Sequence, residues 1–191
     1  YIGDWSSDVC SSDLGAHFRQ AGIPVPDISE TADLNRLIQA IRDTQVTSVW
    51  VLGDLFHQPL SITEAQITRW QSALRSFDTE LKVILGNHDQ KAEPYASALG
   101  FSIEPEPTLW NGIELAHHPD NKSAFRIAGH IHPQVEFTTA SDRLICPCFA
   151  IKDHRLLLLP AFTGFSGGPR FRPREARCFP IVDDNVLPPT N

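Results

Sequence analysis

Methionine is absent from all 191 residues, the first position included, so the sequence reads as a fragment or as one whose true start is lost. No apolar run approaches the roughly 20 residues that a membrane-spanning helix requires, and no basic-then-apolar stretch of a secretory signal opens the chain. The expected address is therefore the cytoplasm. An excess of basic charge is missing too: 16 Lys plus Arg face 23 Asp plus Glu, a net charge of −7. That balance argues against sequence-independent wrapping of nucleic acid through a broad basic surface. The paired C-x-x-C spacing of a structural zinc site is lacking, and Cys10, Cys146, Cys148 and Cys178 read as reduced thiols. Internal repeats and low-complexity segments are absent as well. What is present is the composition of an ordinary soluble globular domain, 41% hydrophobic and 20% charged with 11 Gly and 15 Pro. At about 150 residues per domain, the length predicts one domain.

Residues 1–14, YIGDWSSDVCSSDL, have neither a helical nor an alternating apolar period and read as a tail. Pro24 and Pro26 keep FRQAGIPVP out of a helix. A helix is expected from about Glu30 to Arg42, with Leu34, Leu37, Ile38 and Ile41 as its apolar stripe and Ser29 or Thr31 as its cap. Val46 to Leu52 is a nearly continuous apolar run, the pattern of a strand covered on both faces. A second helix, roughly Ile62 to Phe77, leads to another such strand, Leu81 to Leu85. This β-α-β unit places Asp54 and the run Gly86-Asn87-His88-Asp89 just beyond two strand ends, where open sheets collect ligands.

After a short helix near Ala92 to Ala98, strands are expected at Gly112–His117, Phe125–Ala128, Val135–Thr139, Leu144–Ile151 and Arg155–Leu159, mostly antiparallel. The Gly-, Pro- and Arg-rich run from Ala161 favours loops, and VLPPTN reads as a terminal tail.

Polar clusters follow the apolar runs: Gly53-Asp54, Gly86-Asn87-His88-Asp89, His117-His118-Pro119 and Gly129-His130-Ile131-His132-Pro133. Singly each is weak, since a Gly-Asp after a strand is most often a turn. Together, Asp, Asn and His at strand ends form a plausible shell for Mn, Fe, Zn or Co, which accept mixed oxygen and imidazole ligands. Gly129 and Pro133 favour a loop around His130 and His132, which lets the two rings splay apart.

GDLFH, GNHD, HHP and GHIHP, in this order, resemble the calcineurin-like metallophosphoesterases. FRQAGIPVP and PAFTGFSGG narrow the resemblance to the bacterial ligase-associated DNA damage response endonucleases, from about Gly15 to about Arg172. The resemblance implies an α/β fold, a four-layer α/β/β/α sandwich over 15–172, followed by a C-terminal extension over 173–191. It implies two divalent ions, Mn2+ foremost, at the strand tips, with Asp54 bridging them and Asn87, His117 and His130 completing one site. His132 belongs to the other ion, and His88 protonates the leaving oxygen or stabilises the transition state. Few carboxylates around two dications leave a positive pocket suited to phosphate. His118 is the alternative to His117; the family places its ligand two residues before the proline, which favours His117. His57 is either a solvent-facing residue or a substrate contact, and Arg19 reads as a surface residue within reach of a phosphate.

The sequence departs from the family at its start. Where the family carries Asp-x-His, this chain has Val9 and Ser11, and DWSSDVCSSDL resembles translated sequencing-adapter text joined to a truncated frame. The expectation is a domain without its native first strand, holding its second ion poorly and acting weakly. The expected function is a phosphodiesterase or endonuclease acting on DNA in repair, with DNA ligase or helicase partners. A phosphatase or phosphodiesterase on small nucleotides or phosphoproteins uses the same site, and a noncatalytic scaffold is the third reading. Arg170, Arg172, Arg174 and Arg177 form a local basic segment able to meet a phosphate backbone or simply to lie in solvent.

Overall fold

The computed structural model describes residues 5–6, 28–55, 63–89, 91–120, 124–138, 141–163, 167–172, 174–183 and 185–190. The first half alternates strand and helix: β1 (Trp5–Ser6), α1 (Ile28–Thr44), β2 (Ser48–Leu52), α2 (Glu64–Leu74), β3 (Glu80–Ile84), α3 (Glu93–Ala98) and β4 (Phe101–Glu104). The strands form one sheet in the order β1-β2-β3-β4, each pair parallel. The edge beside β2, expected to lack its strand, carries the two-residue β1, with Trp5 opposite Trp50.

Leu34, Leu37 and Ile41 of α1 are buried, as their spacing of three and four predicts, with Ile38 packed beside them. The helix begins at Ile28, so Ser29 and Thr31 lie inside it and neither precedes it as a cap. The start of α2 is set by a capping box: the Thr63 hydroxyl accepts the Gln66 N–H, and the Gln66 side chain accepts the Thr63 N–H.

The two-sided burial expected of β2 is present. Val49 and Val51, with Val83 and Phe101, face the helices. Trp50 and Leu52, with Ile84, face the other way and meet Leu115, Ile127 and Leu159 of a second sheet. That sheet comprises β5 (Thr108–Trp110), β6 (Ile113–Ala116), β7 (Arg126–Ala128), β8 (Gln134–Thr138), β9 (Arg143–Lys152), β10 (Leu156–Leu158), β11 (Arg170–Phe171), β12 (Arg177–Val182) and β13 (Asn185–Val186). Its order is β11-β8-β9-β10-β7-β6-β5, with β12 paired to β9 and β13. It is less uniformly antiparallel than expected: β7 runs parallel to both β6 and β10, and β11 parallel to β8.

The sandwich is thus α/β/β. A further apolar cluster, with Ala128, Cys146, Cys148, Ala150, Leu158 and Cys178, lies on the face of the second sheet turned away from the first. Helix is scarce, and all helices among the described residues precede Gly100; the mixed parallel and antiparallel sheets are those of the expected calcineurin-like α/β sandwich. Part of the run read as loop is ordered into the sheet instead, as β11 beside β8, and the run read as a tail is hydrogen-bonded along β12. β12 pairs with β9 from Arg177 to Pro180, and the terminal run follows it, Leu187 N–H donating to Pro180 O and Thr190 N–H to Cys178 O.

Candidate metal centre

The carboxyl ends of β2, β3, β6 and β7 meet at one place, and each is followed by a polar turn. Gly53 (φ 92°) and Asp54 (φ 50°) leave β2 in the left-handed region. A Cβ on Gly53 would stand 1.9 Å from His117 Nδ1, and one on Gly86, after β3, would stand 2.2 Å from Asp54 Oδ1. Only hydrogen at these two positions lets the imidazole and the carboxylate come this close to the turns. His130 (φ 64°) and His132 (φ 51°) share the left-handed backbone in the loop between β7 and β8 that Gly129 and Pro133 predicted. Each such conformation at a non-glycine residue costs on the order of 1–3 kcal/mol, which the surrounding packing must offset.

His117 is fully buried. Its Nδ1 lies 3.0 Å from Leu52 O, and a carbonyl only accepts, so Nδ1 carries the proton of the neutral ring and Nε2 presents a lone pair. Nε2 faces Asn87 Oδ1 at 2.8 Å, His130 Nδ1 at 3.0 Å and Asp54 Oδ2 at 3.5 Å. Ligands bound at about 2.0–2.2 Å around one cation stand roughly 3 Å apart, and these three atoms stand 2.8–3.5 Å from His117 Nε2. The donor set, imidazole with carboxylate and amide oxygen, suits a first-row divalent metal.

The pKa of His130 is lowered from the ordinary 6.5, first by burial, then by the charges of His117 and His118, with Asp54 opposing and His132 adding a smaller depression. It is thus neutral, as ligation requires, at neutral pH. Ring-resolved NMR titration of the metal-free protein should place its midpoint below 6.5. Asp54→Asn, which removes the one raising influence, should lower it further; a midpoint at or above 6.5 in the unsubstituted chain contradicts this electrostatic picture.

Of the residues singled out in the sequence, Asp54, Asn87, His117 and His130 come together. His132 lies near enough for its charge to act on His130, and its carbonyl packs on Gly168, where a Cβ would sit 2.3 Å away. The His88 backbone N–H donates to Asp54 Oδ1 at 2.9 Å, and the residue is exposed. His118, the alternative to His117, is close as well: its ring centroid is 4.7 Å from that of His117 and 5.0 Å from that of His130.

Arg170 of the basic segment is neutralised by Glu136 at 2.8 Å, and Arg177 stacks over Phe179. Arg19 and His57 lie outside the described residues.

Two contributors carried no assigned role in the sequence. Asp89, fully buried, accepts both the Gly86 N–H (2.9 Å) and the Leu55 N–H (3.0 Å) on one oxygen, tying the turn after β3 to the turn after β2. Its signal was its place in GNHD. Glu106 holds His118 by ring and backbone, and nothing in the surrounding EPEP marks it.

Imidazole, amide and carboxylate donors meeting at the strand tips fit a metal centre, and the family match makes the protein a metal-dependent phosphoester hydrolase. The family model for calcineurin-like phosphoesterase matches residues 2–141, and the chain belongs to that family. Among solved structures it is similar to the Pseudomonas putida nuclease MPE, with a TM-score of 0.78 at 26% identity, over 97% of this chain and 86% of that one. No curated protein matches the chain. No helix among the described residues is long and apolar enough to cross a membrane.

Proposed function

We propose that this chain is a metal-dependent phosphodiesterase acting on nucleic acid, with Asp54, Asn87, His117 and His130 holding one divalent cation. The observation that carries this reading is the convergence of Asn87 Oδ1, His130 Nδ1 and Asp54 Oδ2 on the lone-pair nitrogen of a buried histidine. A cation held there supplies Lewis acidity toward phosphoryl oxygen and lowers the pKa of water. Leu52 O fixes the His117 ring, and the His88 N–H fixes the Asp54 carboxylate. His88 is exposed beside Asp54, and its imidazole is the group assigned to pass a proton to a departing alkoxide. Asp54 and His132 hold a second cation more weakly, because the sequence has Val9 and Ser11, both outside the described residues, where the family carries Asp and His. Turnover is correspondingly low.

The choice of nucleic acid is supported by the similarity to a nuclease, and the choice of DNA, in repair, by the motifs shared with the ligase-associated endonucleases. The test compares bis(p-nitrophenyl) phosphate with p-nitrophenyl phosphate in Mn2+. The diester should be hydrolysed at least about tenfold faster, a difference of about 1.4 kcal/mol in barrier. Chelation should abolish the activity and Mn2+ restore it. Preference for the monoester would instead favour a phosphatase.

A further inference from the structure

His118 is more firmly held than an ordinary half-exposed surface histidine. Its backbone N–H donates to Glu106 Oε1 at 2.6 Å, and its Nδ1 lies 3.1 and 3.2 Å from the two Glu106 oxygens. Its carbonyl accepts from Arg126 Nη1 at 3.2 Å, while Nε and Nη2 of the same guanidinium clasp Glu114 at 3.0 and 2.9 Å. A carboxylate only accepts, so Nδ1 bears a proton, and in the neutral ring Nε2 is the nitrogen with the lone pair. One ring nitrogen from each of His117, His118 and His130 lies within 4.8 Å of the others. Carboxylate, then imidazole, then an open nitrogen beside two other imidazoles is the arrangement by which proteins orient a metal-ligating histidine.

We propose that His118, oriented by Glu106, supplies a further imidazole ligand to the metal centre, so that both histidines of the HHP run serve one cation. The inference rests on the metal-centre reading above and adds an additional ligand. Its test is titration of Co2+ alone into the metal-free chain, followed by calorimetry and by the visible d–d absorption, which reports ligand number and type. His118→Ala should weaken Co2+ binding about 10–100-fold and change the absorption band, and Glu106→Gln should weaken it about tenfold with a smaller spectral change. Circular dichroism checks that each variant remains folded, and Glu106→Asp, which keeps the carboxylate, should recover part of the affinity. Unchanged affinity and spectrum in His118→Ala, alongside loss of binding in His117→Ala, overturns this inference alone. Unchanged binding in both variants overturns the metal-centre reading itself. An altered KM in His118→Ala with unaltered Co2+ binding would assign His118 to substrate and reject it as a ligand.

Discussion

Replacing Gly53 by alanine should empty the metal centre while leaving most of the fold intact. The new Cβ would fall 1.9 Å from His117 Nδ1 and 2.4 Å from Cγ, inside the ring's own volume. The imidazole must therefore leave its place under Leu52 O, and with it goes the nitrogen on which Asn87, His130 and Asp54 converge. Alanine at φ 92° adds strain of about 1–2 kcal/mol, well within a typical stability of about 5–15 kcal/mol. Displacement of a ligand by about 1 Å is on the scale that costs roughly 100-fold in rate. Metal retained after desalting, measured by elemental analysis, should drop to background and diesterase activity should fall by about 100-fold or more, with a near-native circular dichroism spectrum. Full metal occupancy in the folded variant would show that His117 does not have to sit where it does.

Asp89→Ala should act mainly on stability. One buried oxygen satisfies two buried backbone N–H groups, those of Gly86 and Leu55. Deleting the acceptor strands both at about 1–3 kcal/mol each, or about 2–6 kcal/mol together. That is a large part of a marginal total. Urea unfolding should show the midpoint falling by a corresponding amount, whereas Asp89→Asn, which keeps one accepting oxygen, should recover part of the loss. A midpoint unchanged in Asp89→Ala would mean that the two turns are held together by something other than this carboxylate. The contrast between the variants is itself informative: Gly53→Ala changes ligand position with a modest change in stability, and Asp89→Ala changes stability through the link between the same two turns.

The parts of the site that the sequence made visible are those where polar letters break an apolar run. Asp54 after Val49–Leu52, Asn87 after the β3 run, His117 after Ala116 and His130 after Ala128 were legible because strands covered on both faces are locally apolar and their ends are not. The fourfold meeting of these tips was carried by the family resemblance, since nothing local specifies which strands lie side by side. For the same reason the parallel placement of β7 between β6 and β10 was missed: strand direction depends on crossovers, and periodicity is blind to it.

β11 lay in the run read as loop because Gly, Pro and Arg crowd it, yet β8 supplies its pairing at Arg170 and Phe171. Tertiary pairing there overrides a weak local preference. Glu106 was illegible for a different reason. A residue that orients a histidine 12 positions away leaves no pattern of its own, and its role depends on the geometry of β6 and the segment before it.

Diffraction at the manganese absorption edge from crystals soaked in Mn2+ tests the central claim most directly. An anomalous peak should appear enclosed by Asp54 Oδ2, Asn87 Oδ1, His117 Nε2 and His130 Nδ1, and it should vanish in His117→Ala. A Mn2+-dependent diesterase whose anomalous peaks all lie away from these four atoms would contradict the account.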